Sequence, residues 1–246
     1  MKIVKINRLK YSIARHPIKL VTMSLKMNHY SKDKYDIERS YQEVRTSIKT
    51  ILEKGKVTVN AYGLENINNL DNYIMLANHQ GKADTLAVIN THEKPCSVVI
   101  DKTVCTNPFL NSCLNCMHAK KLDKTNPRQG LMIFNQIKQE VIRDKRTFLI
   151  FPEGQHTGNM NNLQEFNTGC LGFIYDTMVP IVPICLYNTY QVYEVKDTKP
   201  VSCEIHYLKP IYFDEYKNLR KKELASLVKE RIQAKLDEIK LNETLN

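Results

Sequence analysis

"LANHQGKADTLAV" (residues 76–88) runs from an apolar stretch into His79 and Gly81, then through Asp84 into a second apolar stretch. This order reads as a buried strand, a tight turn and the first turns of a helix. Gly81 permits the reversal because it carries no Cβ. On a regular helix, positions five apart point about 140° away from each other, at 100° per residue. His79 and Asp84 can therefore meet only if the histidine lies in the turn and the aspartate in the first helical turn. A carboxylate so placed fixes one imidazole nitrogen and leaves the other as a base. The same residues also suit an ordinary junction, with Asp84 capping the helix and His79 satisfied beside it.

The flanking sequence continues the alternation. "KVTVNAYG" (56–63) and "YIMLANH" (73–79) read as strands, "KADTLAVINTH" (82–92) as a short helix and "CSVVID" (96–101) as a strand. "VCTNPFLNSCLNC" (104–116) holds helical turns around Pro108. "NPRQGLMIFNQIKQEVIRDK" (126–145) is a helix with Pro127 in its first turn and Leu131, Phe134 and Val141 on one face. "TFLIFPEG" (147–154) is a strand that breaks at Pro152, and "FNTGCLGFIYDTM" (166–178) reads as helical. "PIVPICLY" (180–187) and "VSCEIHYLKPI" (201–211) read as strands, and residues 216–240 as a helix with Leu224, Val228, Ile232, Leu236 and Ile239 inward. Strands alternating with helices predict an α/β sheet covered on both faces.

With 246 residues, 42% hydrophobic and 25% charged, the chain suits one large domain, or a domain with a small appendage. Upstream of the alternation, Ile37, Tyr41, Val44, Ile48 and Ile51 recur at helical spacing up to Gly55. We divide the chain into an N-terminal basic helical motif, 1–55, and an α/β domain, 56–246. The net charge of +10 is concentrated at the start. Of the 36 Lys and Arg, eight (Lys2, Lys5, Arg8, Lys10, Arg15, Lys19, Lys26, Lys32) fall in residues 1–32, which hold no acid; 28 basic and 26 acidic residues remain elsewhere. Ile3, Ile6, Leu9, Ile13, Ile18, Val21 and Leu25 are interleaved with them. Cations mixed with apolar residues suit a helix lying in an anionic bilayer surface, where each Lys or Arg contributes about 1 kcal/mol. A helix packed on the domain ranks second. A nucleic-acid arm ranks third, because such an arm does not need the apolar residues. Pro17 leaves open whether the segment is one helix or two. "GCLGFIYDTMVPIVPICLY" (169–187) is too interrupted, by Asp176, Pro180 and Pro183, to be a membrane span.

Seven cysteines without a secretory leader favour free thiols in a reducing compartment. Cys113-x-x-Cys116 near His118 lacks a second ligand pair, so no metal is expected.

"LIFPEGQHTG" (149–158) repeats the opening pattern: a hydrophobic strand breaks into a turn carrying Glu153, Gly154, His156 and Thr157. Two polar strand ends in an α/β sheet mark a ligand site. No serine or cysteine adjoins His79 in sequence, so a substrate hydroxyl is the expected nucleophile.

These blocks, in order over residues 57–212, resemble the glycerolipid acyltransferases typified by 1-acylglycerol-3-phosphate acyltransferase. Asn78, His79 and Asp84 match N-H-x-x-x-x-D. Phe151 to Gly154, Thr157 and "FNTG" (166–169) match the F-P-E-G block, and "VPIVPI" around Pro183 matches the apolar V-P strand. Two positions depart from the pattern. Lys124 of "KLDK" stands where the family has a phosphate-binding Arg, keeping the charge but losing the bidentate fork. Gln155 and His156 replace Thr-Arg.

The resemblance implies a mixed central sheet flanked by helices, with His79 oriented by Asp84 as catalytic base. It implies that Glu153, Gly154 and Thr157 bind substrate, and that Lys124 holds its phosphate, with Lys120 or Lys121 beside it. Backbone N–H groups near Gly81 or Gly154 are candidate oxyanion donors. The implied reaction moves a fatty acyl group from a thioester, on coenzyme A or acyl carrier protein, to the sn-2 hydroxyl of lysophosphatidic acid. No cofactor or metal is implied. The implied setting is peripheral, on the cytoplasmic face of an anionic membrane, with no nucleic-acid partner. Another glycerolipid acceptor such as glycerol-3-phosphate, another lysophospholipid, or a catalytically silent membrane-lipid binding protein fits the same fold.

Overall fold

The computed structural model describes residues 7–32, 36–104 and 108–245. Three helices come first: α1 (Arg8–Arg15), α2 (Pro17–Tyr30) and α3 (Ile37–Lys54). Pro17 starts a new helix, as its missing N–H and fixed φ favour. Thus the described part of the basic segment forms two helices. Gly55 ends α3, and α1 lies so close above it that a Cβ there would sit 2.6 Å from Leu9 Cδ2.

Strands and helices then alternate: β1 (Val57–Tyr62), β2 (Ile74–Ala77), α4 (Asp84–Thr91), β3 (Cys96–Asp101), α5 (Pro108–Cys116), β4 (Lys120–Leu122) and α6 (Pro127–Arg143). They continue with β5 (Thr147–Ile150), α7 (Ile174–Thr177), β6 (Ile181–Tyr187), α8 (Tyr190–Tyr193), β7 (Val201–Tyr207), α9 (Phe213–Tyr216) and α10 (Lys221–Leu245). The described strands form one mixed seven-stranded sheet, in the order β1-β7-β6-β2-β5-β3-β4. Pairing is parallel except between β6 and β7.

Alternation along β2 shows why both faces are dry. Met75 and Ala77 enter a core with Tyr41, Val44 and Ile48 of α3 and Ala87 and Val88 of α4. Ile74 and Leu76 enter a second core with Ile137 and Val141 of α6 and Val228 and Ile232 of α10. The five parallel strands β6, β2, β5, β3 and β4 end at a common edge, where open α/β sheets bind ligands.

Several readings need correction. On α6 the buried stripe is Ile133, Ile137 and Val141; Leu131 is 68% exposed. Residues 166–178 are not one helix. Asn167 accepts the Gly169 N–H, a 3₁₀ turn follows at Thr168–Leu171, and left-handed Met178 closes the short α7. In the basic segment, Leu9 and Arg8 are buried, so neither faces outward. Ile18, Val21 and Leu25 of α2 are 80%, 58% and 65% exposed. Lys2, Ile3, Lys5 and Ile6 lie outside the described residues. Among the described residues no helix is long and apolar enough to cross a membrane, and the six described cysteines are free thiols.

Candidate active site

β2 stops at Ala77 because the next side chain takes over its pairing. Asn78 Nδ2 donates to Leu186 O (3.0 Å), and its Oδ1 accepts the Leu186 N–H (2.7 Å). The chain is thereby anchored to β6 as it turns, and His79 emerges at the common edge.

In this turn His79 and Asp84 meet: His79 Nδ1 lies 2.8 Å from Asp84 Oδ2. The same oxygen accepts the backbone N–H groups of Gln80 (2.6 Å) and Gly81 (2.9 Å). Fully buried Asp84 therefore holds the loop and the ring with one atom. A carboxylate facing Nδ1 makes that nitrogen the donor and leaves Nε2 its lone pair. Asp84 Oδ1 is 2.7 Å from Thr189 Oγ1, which is also 2.8 Å from Gln80 Oε1. One hydroxyl proton thus serves two acceptors.

β5, beside β2, supplies the second half. Glu153 Oε1 accepts the His79 backbone N–H (3.1 Å), and Oε2 accepts Gln164 Nε2 (2.7 Å). Burial pushes the Glu153 carboxyl up to about 7, against the pull of these donors and of His79. Phe151 stacks on the His79 ring at 4.5 Å, and His156 meets it edge-on at 5.2 Å. Burial, and then His79 itself, hold the His156 imidazole below its ordinary value.

His79 is thus in contact with both Asp84 and Glu153. Gly154 adjoins them in the left-handed region at φ +74°, with open space where a Cβ would stand. Thr157 is exposed on the same loop. Lys124 is not brought to this cluster. It follows β4, three strands from β2 or about 14 Å at the usual strand spacing. Its Nζ pairs with Asp101 Oδ2 at 2.8 Å. Partial burial pushes Asp101 up, but Lys124 and Thr103 outweigh it and hold the carboxyl at about 2. Lys120 pairs with Glu140, and Lys121 donates to Asn111 (2.6 Å) and Asn115 (3.0 Å).

Of the N–H groups near Gly81 and Gly154, those of the two glycines themselves are already engaged. The Gly81 N–H is bound to Asp84, and the Gly154 N–H closes a turn onto Phe151 O at 3.0 Å. Sequence reasoning also missed Gln80 and Thr189. Gln80 Nε2 donates to Asn161 Oδ1 and Leu186 O, both at 2.8 Å, so its amide is locked with Oε1 toward Thr189. Its place beside His79 was the available signal; Thr189, 105 positions from Asp84, had none. Among the described residues no cluster of three or more His, Cys, Asp or Glu could hold a metal.

Residues 58–187, more than half of the chain, match the family model described as Acyltransferase. The chain belongs to the acyltransferase family. His79, Asp84 and Glu153 lie inside that span. The 1-acyl-sn-glycerol-3-phosphate acyltransferase of Borreliella burgdorferi is 26% identical over 205 residues, 82% of this chain and 81% of that one. The enzyme of the same name from Saccharomyces cerevisiae is 28% identical over 146 residues, 54% of this chain and 48% of that one. The crystal structure of the 1-acyl-sn-glycerophosphate (LPA) acyltransferase PlsC from Thermotoga maritima superimposes with a TM-score of 0.76 over 95% of both chains, at 18% identity. That likeness shows the fold: a mixed sheet between helical layers.

Proposed function

We propose that this acyltransferase moves a fatty acyl group from a thioester to the sn-2 hydroxyl of lysophosphatidic acid, giving phosphatidic acid. The observation that carries the reading is the His79–Asp84 pair at the end of the central strand, with Nε2 left to accept a proton. The names of the relatives agree with it.

His79 Nε2 takes the hydroxyl proton as the acceptor oxygen attacks the thioester carbonyl. Asp84, held by three further hydrogen bonds, stabilises the imidazolium that forms. The tetrahedral intermediate collapses, the C–S bond breaks, and the departing thiolate takes the proton back from His79. Attack is direct, within a ternary complex, with the substrate hydroxyl as nucleophile and no acyl-enzyme. Glu153 and Gly154 hold the glycerol, with Thr157 on the same loop. Lys124 takes the phosphate by exchanging its Asp101 partner for it. This chemistry needs no metal or organic cofactor. The donor is coenzyme A or acyl carrier protein, and nucleic acid has no part.

The protein docks peripherally on the cytoplasmic face of an anionic membrane. Exposed Ile18, Val21 and Leu25, with exposed Lys19 and Lys26 beside them on α2, support that setting. The test is acyl transfer from a thioester to lysophosphatidic acid with anionic vesicles, for the wild type and His79→Ala. Turnover lost by orders of magnitude in the variant is the expected result. A wild type silent across a panel of acceptors and donors refutes the reading and leaves a lipid-binding protein.

A further inference from the structure

We infer that Tyr193 is a positioning residue for acyl transfer, the joint through which the N-terminal helix α1 holds the turn carrying His79. The inference rests on His79 being the catalytic base.

The connection starts at Asn7. Its Oδ1 caps α1 by accepting the N–H groups of Leu9 (2.9 Å) and Lys10 (3.2 Å). Its Nδ2 donates away from the helix, to Val192 O (3.5 Å) and to Tyr193 O. Buried Arg8 donates to Lys199 O in the loop that follows. One end of α1 is therefore fixed to the single turn of α8 and to the segment behind it.

Tyr193 faces two cations. Lys10 Nζ, from α1, lies 5.6 Å from the ring centroid, and Lys82 Nζ, from the catalytic turn, lies 5.3 Å from it. The next residue grips the turn directly: Glu194 Oε1 accepts the Lys82 N–H at 3.1 Å. Its Cγ comes within 3.0 Å of where a Cβ on Gly81 would lie. At the other end of α8, Thr189 bonds Asp84. Residues 81–84 are thus held at both ends by a four-residue helix, too short to be stable alone. That helix is held from behind by α1. A shift of Tyr193 passes to Gly81 and Lys82, and through the Asp84 bonds to the His79 ring, where an error near 1 Å costs about 100-fold in rate.

The experiment uses a short-chain, monomeric lysophosphatidic acid in vesicle-free buffer, so that membrane docking does not enter. Tyr193→Leu removes the aromatic face and Tyr193→Phe keeps it. The Leu variant is expected to lose about 10- to 100-fold in kcat, with KM for the acceptor unchanged. The Phe variant recovers turnover to near the wild type, and both bind anionic vesicles as the wild type does. If Tyr193→Leu does not fold, Lys10→Met combined with Lys82→Met, on two exposed side chains, removes the same contacts and is expected to lose kcat likewise. An unchanged kcat in the variant that folds, or Phe as impaired as Leu, overturns the inference. A wild type silent on every acceptor overturns the acyl-transfer reading, and the joint as a catalytic device falls with it. Wild-type turnover with an unaffected variant overturns the joint alone.

Discussion

Replacing Asp84 by Asn separates the two duties of this carboxylate. With its amide oxygen at the Oδ2 position, Asn would still accept from His79 Nδ1, Gln80 N and Gly81 N. Its NH2 group would then face Thr189 Oγ1, whose own proton can go wholly to Gln80 Oε1. The shared proton of the native site becomes two complete hydrogen bonds. Folding stability is therefore expected to change by less than about 1 kcal/mol, the scale of one net hydrogen bond. What Asn cannot supply is charge. At an effective dielectric of about 20, unit charges about 3 to 4 Å apart attract by about 4 to 5 kcal/mol. That stabilisation acts only once His79 has become an imidazolium, so it belongs to the transition state. At about 1.4 kcal/mol per decade its loss is worth about three orders of magnitude in kcat. Initial rates of thiol release, with a thermal melt of each protein, measure both quantities. A variant that melts like the wild type and turns over within tenfold of it refutes the charge argument. One that unfolds refutes the hydrogen-bond accounting.

Glu153 gives the chain a pH dependence. Its carboxyl is raised to about 7, so between the ordinary value near 4.5 and about 7 the folded state keeps a proton that the unfolded state has lost. Stability from this group is complete below that window and falls as pH rises through it, by at most about 3 kcal/mol. Melts at pH 5 and pH 8 are expected to show Glu153→Gln with a smaller fall than the wild type; parallel falls would refute this. Lys124→Met is expected to raise the KM for lysophosphatidic acid by about 10-fold or more, the value of a charged hydrogen bond, with kcat nearly unchanged. An unchanged KM would remove Lys124 from the phosphate site. Replacing Ile18, Val21 and Leu25 together by Ser is expected to weaken binding to anionic vesicles about 100-fold in sedimentation, at about 1 kcal/mol for each partly inserted side chain. The melting temperature should not move, since all three are exposed.

The fold was legible wherever a segment was long enough to show a period. The stripe of α10 and the apolar run of β2 are such cases, and both sit where their patterns place them. β4 was missed because Lys120–Leu122 has almost no apolar signal; its two lysines suit a sheet edge and bond to neighbouring side chains. The single turns α8 and α9 are shorter than any helical period. On α6 Val141 is buried and Phe134 packs against the same core, and only Leu131 is misplaced, an exposed leucine whose spacing fits nearly as well as that of Ile133. In the site, His79, Asp84 and Glu153 could be found because two neighbouring strands end in short polar stretches. The hydroxyl of Thr189 looks in sequence like any loop threonine. The glycines 81 and 154 suggested oxyanion donors only while their N–H partners were unseen; both bonds are made within the turns themselves.

The bond between Thr189 and Asp84 also dates the site within folding. It joins residues 105 positions apart, and the parallel pairing of β2 with β6 that aligns them closes a loop of the same size. Loop closure on that scale is slow relative to the formation of local helices. α3 and α10 need no such closure to begin forming. In refolding from denaturant, helical signal should therefore return first and turnover only after β6 has docked. The recovery of activity would time the closing of the sheet rather than the collapse of the chain.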